Sequence, residues 1–182
     1  RPPRSTLFPY TTLFRSAHYA IADLEKEYSV TVITQNVDNL HERAGSTKVL
    51  HLHGEATKVR PEDGEYDRSY SEKEVIDIGY DEVHLGDNAP NGSQLRPHIV
   101  FFGEAVPNIE KAIDIVSAAD IMLIVGTSLN VYPAAGLYRY APNGIPIYLI
   151  DPEDVAIADP RITQIRQVAT KGMETFRRML GQ

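Results

Sequence analysis

Short apolar runs that each stop at a glycine, an amide or a carboxylate, with helix-period segments between them, restrict this chain to an alternating α/β architecture. Val30 to Thr34 is β-branched at every position and uncharged, as a strand buried on both faces requires. Asp120 to Val125 is a second apolar run and stops at Gly126-Thr127-Ser128; Ile145 to Ile150 is a third and stops at Asp151. Val49 to His53 and His98 to Phe102 read as two more strands. Among them, Ala17, Ala20, Ile21, Leu24 and Tyr28 recur at helical spacing, and Pro107 opens a segment in which Ile109, Ala112, Ile113 and Val116 share a face. Pro133 to Tyr140 and Thr170 to Leu180 read as helices too, and Asp38 to Ala44 as a short one closed by Gly45. Strands alternating with helices imply right-handed crossovers and a parallel sheet with helices on both faces.

Open sheets of this kind bind ligands outside the carboxyl ends of their strands. Three strand ends, carrying Gln35-Asn36, Gly126-Thr127-Ser128 and Asp151, are expected on one such edge. A glycine there admits a phosphate or a ribose, though a plain tight turn explains Gly126 as well. In Val49 to His53 the alternation places Val49, His51 and His53 on one face. His53 is the last residue before Gly54, from where an imidazole can face a crevice and act as a base near neutral pH. Taken alone, either histidine also fits a structural hydrogen-bonding role. The amide of Asn36 and the carboxylate of Asp38, just past a strand end, favour the functional reading of His53.

Four strings, TQNVDNLHERAG, HLHGE, LRPHIVFFGE and GTSLNVYPAAG, stand in this order between Thr34 and Gly136. Together they resemble the sirtuins, NAD-dependent protein-lysine deacylases, over about residues 17 to 182. The wording of HLHGE and LRPHIVFFGE is similar to the bacterial branch that includes desuccinylases and demalonylases. The resemblance implies a Rossmann-like α/β fold, NAD as cofactor, and acylated lysine side chains of proteins or peptides as partners. It implies a transferase reaction that expels nicotinamide and yields free lysine and O-acyl-ADP-ribose, with His53 as general base on a ribose hydroxyl. On the same grounds Gln35, Asn36 and Asp38 border the nicotinamide and its ribose. Gly126, Thr127 and Ser128 contact ribose and phosphates, and Ala169 lies near adenine. Gly103, Glu104 and Val106, with Leu129, Asn130 and Val131, flank an extended substrate peptide. Asp151-Pro152-Glu153 departs from the family's Asn-x-Glu; a carboxylate there accepts from ribose hydroxyls but repels a phosphate.

Residues 1 to 16 follow neither a helical nor a strand repeat, and Thr6 to Ser16 resembles the translation of a sequencing-adapter oligonucleotide. Read so, they are a non-native or disordered head on an amino-terminally truncated, impaired enzyme, its first strand, glycine-rich NAD loop and acyl-selecting Tyr/Arg pair missing. The domain proper is then 17 to 182, with a small irregular insertion at about 57 to 97. In most sirtuins this insertion is a zinc ribbon with four cysteine ligands, whereas this chain has no cysteine; no metal is expected. Between Pro61 and Pro90 ten carboxylates face only Arg68 and Lys73, which reads as a solvated acidic surface, and Val75 to Ile78 as one strand.

A formal charge of −7 argues against nucleic acid and suits basic, lysine-bearing peptides. No apolar run approaches a membrane span and no signal pattern opens the chain, so no membrane partner and a cytoplasmic location are expected. Two other classes stay open: a catalytically silent nucleotide- or peptide-binding module, and an NAD-dependent oxidoreductase, which lacks a recognisable hydride-transfer set.

Overall fold

The computed structural model of the chain describes residues 10–62, 74–127, 129, 131–155, 157 and 159–181, without the side chains of 10–15. In chain order its elements are helix α1 (Tyr10–Asp23), a 3-10 turn (Leu24–Lys26), strand β1 (Val32–Thr34), helix α2 (Leu40–Ala44), strand β2 (Val49–His51) and strand β3 (Gly54–Pro61). Strands β4 (Ile76–Asp77) and β5 (Leu95–Ile99), helix α3 (Ile109–Ser117) and strand β6 (Met122–Val125) follow. A second 3-10 segment (Ala134–Tyr140), strands β7 (Ile147–Ile150) and β8 (Ile162–Ile165) and helix α4 (Ala169–Met179) complete the order. The described residues fall into two compact units, Arg1–Val32 with Leu40–Lys48 and Ile113–Gln182, and Ile33–Asn39 with Val49–Ala112.

The first unit is built on a three-stranded parallel sheet in the order β6-β7-β8. β7 is central because Ile-Tyr-Leu-Ile carries no charge, and Ile147, Leu149 and Ile150 are all excluded from solvent, so both of its faces are covered. On one face Ile150 and Ile165 join Leu24, Met173 and Phe176 in a core, with Ala20, Ile21 and Leu180 packed against it. Phe176 meets Tyr148 edge-on at 5.0 Å between ring centres. Removing such a ring destabilises a core by about 3–5 kcal/mol. α4 comes close to β7 because position 172 is glycine: a Cβ there would stand 2.2 Å from Cγ2 of Ile150. β8 was not readable from the sequence, since Ile162-Thr163-Gln164-Ile165 is only four residues long and buries only Ile165 fully. α1 is helical from Tyr10, ahead of the apolar repeat that begins at Ala17; residues 1 to 9 of the expected head lie outside the described residues.

The second unit holds two small sheets. β1 pairs with β2; the strand expected at Val30 to Thr34 is therefore shorter and is bonded to β2 and not to the β6-β7-β8 sheet. Thr34 spends its carbonyl on the Leu52 N–H at 2.9 Å. The other sheet is antiparallel, in the order β4-β3-β5. The strand expected at His98 to Phe102 runs instead over Leu95–Ile99, and its antiparallel partner β3 occupies the start of the segment read as irregular. β3 is half-polar, Glu-Ala-Thr-Lys-Val-Arg, and buries Val59 as its main apolar anchor, so no apolar run announces it.

Within the insertion, the Gln94 carboxamide closes the turn from His84 to Leu95. Its Nε2 donates to the carbonyls of His84, Asp87 and Leu95 at 2.9–3.1 Å, and its Oε1 accepts the Gly86 N–H at 2.7 Å. Residues 63–73 of the insertion lie outside the described residues. Among the described residues no group of three His, Asp or Glu is placed to hold a metal ion, and no helix is long and apolar enough to cross a membrane.

Candidate active site

In the second unit the site is a turn held by histidines. After β1 the chain turns through Gln35 and Asn36, and the Asn36 N–H donates back to Thr34 Oγ1 at 3.1 Å. His51 Nδ1 lies 3.0 Å from the Asn36 carbonyl oxygen, and His53 Nδ1 lies 3.1 Å from that of Gln35. A carbonyl can only accept, so each Nδ1 carries the proton. In His53 this leaves Nε2 as the lone-pair nitrogen, and it makes no hydrogen bond to another described residue. His51 is buried and His53 half-buried. Asn36 and Asp38 are exposed, and Gln35 is partly so.

Gly54 fixes where His53 ends. Its φ is +79°, and a Cβ would fall 2.0 Å from the His98 carbonyl oxygen, so the two backbones approach as only glycine allows. The Val100 N–H donates to the His53 carbonyl at 2.9 Å, tying the far side of this turn to the segment after β5.

Gly103 and Glu104 follow the exposed Phe101 and Phe102. The Glu104 side chain, however, turns inward. Across the β3–β5 ladder Arg60 stands opposite Arg96, a like-charged pair that opposes sheet formation when unrelieved. Glu104 bridges the two, with Oε1 at 2.7 Å from Arg96 Nη1 and Oε2 at 3.5 Å from Arg60 Nη2, while Oε2 also accepts the Phe101 N–H at 2.9 Å. Burial pushes this carboxyl up, but the bonds from Arg96 and Phe101 and the charges of both guanidiniums outweigh it and leave it below the usual carboxylate range. Arg96 also stacks over the Phe101 ring at 4.6 Å. The carboxylate of Glu104 is therefore taken up inside the protein, and its N–H donates to the Phe101 carbonyl at 3.0 Å. Val106 is half-buried, with its carbonyl on the Ile109 N–H at the start of α3.

In the first unit the register aligns Val125 with Ile150 and Ile150 with Ile165. Gly126 and Asp151 thus leave the sheet at one edge, and α4 begins at Ala169 a few residues after β8 ends on that edge. Gly126 has φ +63° and open space where a side chain would stand. Thr127 Oγ1 accepts the Leu129 N–H at 3.2 Å, and Leu129 has a left-handed φ of +54°, a strained state for a γ-branched residue. Asp151 Oδ1 accepts the Glu153 N–H at 2.9 Å. Val131 is exposed and Ala169 half-buried. Ser128 and Asn130 lie outside the described residues. Arg96 and Asn108 carry part of this arrangement, yet the sequence marks them only by their place beside Pro97 and Pro107.

The Sir2 family model matches residues 4–133. The chain belongs to the Sir2 family. An NAD-dependent protein deacylase from Bacteroides thetaiotaomicron is 54% identical over 164 residues, 90% of this chain and 69% of that protein. Another from Aggregatibacter actinomycetemcomitans is 55% identical over 137 residues, 75% of this chain and 62% of that protein. This Sir2-family chain therefore spans about two thirds of the length of these relatives. Among solved structures, a Sir2 homologue–NAD complex superposes with a TM-score of 0.75 at 32% identity, covering 91% of this chain and 64% of the other. A Sir2–p53 peptide–NAD+ complex superposes at 0.69 and 31% identity, covering 91% and 70%.

Proposed function

We propose that the protein is an NAD-dependent protein-lysine deacylase in which His53 is the general base. NAD and an acylated lysine are the substrates, and free lysine, nicotinamide and O-acyl-ADP-ribose the products. The observation that carries this reading is the His53 tautomer. With Nδ1–H donated to the Gln35 carbonyl, Nε2 is the basic nitrogen, and no described residue occupies it. A base held in one tautomer by a backbone carbonyl is what proton abstraction from a sugar hydroxyl requires.

The donor set also fits NAD. Gly126 opens a side-chain-free approach at the carboxyl edge of a parallel sheet, where dinucleotide phosphates bind. Thr127 Oγ1 accepts the Leu129 N–H and keeps its own proton to donate to a ribose or phosphate oxygen. Asp38 offers a carboxylate to the nicotinamide carboxamide, and the exposed Asn36 amide can both donate and accept. Ser128 and Ala169 complete this group in our reading. NAD supplies the anomeric carbon that takes the acyl oxygen and the hydroxyl that takes the acyl group. We read the backbones of Gly103, Glu104 and Val106, and those of Leu129, Asn130 and Val131, as substrate-peptide contacts of the added-strand kind. The wording HLHGE and LRPHIVFFGE is similar to the bacterial branch that includes desuccinylases and demalonylases, so acetyl and acidic acyl groups are both candidate substrates.

The test is nicotinamide release from NAD, assayed with acetyl- and succinyl-lysine peptides. Release that depends on the acylated peptide supports the reading. NAD or peptide binding without it assigns the chain to the silent binding modules.

A further inference from the structure

The two carbonyls of the Gln35–Asn36 turn are each held by a histidine ring, and only one of these histidines is needed as a base. His51, the last residue of β2, and His53, in the turn that follows it, engage the consecutive carbonyls of Asn36 and Gln35. His51 is buried at 6% exposure and is not disposed to take a proton from a substrate. Its own carbonyl accepts Asn108 Nδ2 at 2.9 Å, and the Asn108 carbonyl accepts the Ala112 N–H at 3.0 Å in the first turn of α3. One residue thus joins the Asn36 turn to the start of α3, at the end of the Gly103–Asn108 loop.

We propose that His51 is a positioning residue of the deacylase reaction, rather than an incidental core histidine. Its Nδ1–H fixes the Asn36 carbonyl, and with Thr34 Oγ1 holding the Asn36 N–H, the Asn36 side chain is aimed by a backbone with both polar groups fastened. A charged imidazole keeps its Nδ1–H, so the clamp persists whatever the ring's charge, which separates it from the role of a base. The proposal rests on the deacylase reading for what Asn36 is aimed at, but the clamp is testable apart from turnover.

The decisive comparison uses two amide variants of the whole chain. The amide nitrogen of His51→Asn falls near the place of Nδ1, whereas that of His51→Gln reaches towards Nε2. His51→Gln is expected to weaken NAD binding about fivefold to tenfold, the loss of one hydrogen bond and a stranded carbonyl. His51→Asn should bind within about twofold of the parent, since it restores that one bond. The Michaelis constant for acyl peptide should stay unchanged in both, and ¹⁵N spectra should show His51 as the Nδ1–H tautomer. Equal NAD affinity in the two variants, or an Nε2–H tautomer, would overturn the proposal. Should the parent release no nicotinamide with acyl peptide, the deacylase reading fails instead, and calorimetry with NAD plus the tautomer still decide His51.

Discussion

The Nδ1 of His53 sits 3.1 Å from the carbonyl oxygen of Gln35, so the ring is oriented by main chain that itself follows β1. Replacing the ring removes the base while the Gln35–Asn36 turn keeps the His51 bond. His53→Ala is expected to lower acyl-peptide-dependent nicotinamide release and deacylation by about 10²–10⁴-fold, with NAD binding by calorimetry within a few-fold of the parent. Normal turnover in this variant would remove His53 from the reaction.

Glu104 separates two guanidiniums that otherwise face each other across β3 and β5. Its folded-state pKa lies below the usual 4.5, so the stability it contributes is full above that value and is lost as pH falls through the lower folded value. Glu104→Gln is expected to destabilise the fold by about 1–3 kcal/mol near neutral pH, the penalty of a half-satisfied buried charge cluster. The gap between the two melting curves should shrink as the pH drops below 4.5. A gap that stays constant from pH 7 to pH 3 would contradict the clamp.

Gly54 and Gly86 separate steric exclusion from backbone conformation. Both have positive φ, +79° and +98°, but only at Gly54 does a Cβ meet backbone, at 2.0 Å. In urea unfolding, Gly54→Ala should lose about 2–5 kcal/mol from left-handed strain plus overpacking, against about 1 kcal/mol for Gly86→Ala. Equal losses would mean that the approach of His53-Gly54 to His98 is not a constraint.

Asp151 Oδ1 caps the Glu153 N–H, and an asparagine oxygen can do the same. Asp151→Asn should keep the fold and remove one negative charge from the edge where phosphates are proposed to bind. The NAD dissociation constant is expected to fall about twofold to fivefold, the effect of one screened surface charge, more at low salt than at high. A weaker affinity would show that the carboxylate is needed as an acceptor.

Between His84 and Leu95 the insertion is tied together by an amide side chain. Gln94→Ala strands the carbonyls and the N–H that its side chain engages between His84 and Leu95, and amide exchange there should speed up by about tenfold or more for each hydrogen bond opened. Dialysis of the parent against a chelator should leave its melting curve unmoved.

The sequence made some parts of this molecule legible and hid others, for physical reasons. β7 is visible because four uncharged residues in a row have nowhere to go but a covered sheet centre. α4 is visible because Met173, Phe176 and Leu180 repeat at helical spacing. β3 and β8 were hidden because one is half-polar and the other too short to show a period. β1 reads as a member of the large sheet because β-branching reports a strand but not its partner, which is β2. At the site, HLHG marked both histidines, yet nothing in the string shows that each ring holds a carbonyl of the turn 15 to 18 residues earlier. The bridging position of Glu104 was equally hidden, because Arg60 and Arg96 become neighbours only once the antiparallel register is set.

That register has a practical corollary. Pro61 lies directly across from Leu95, so everything from Glu62 to Gln94 departs and returns at adjoining rungs of one ladder. Such an excursion can be exchanged as a cassette between the same two rungs, provided the replacement supplies a strand to pair with β3 where Ile76–Asp77 now does.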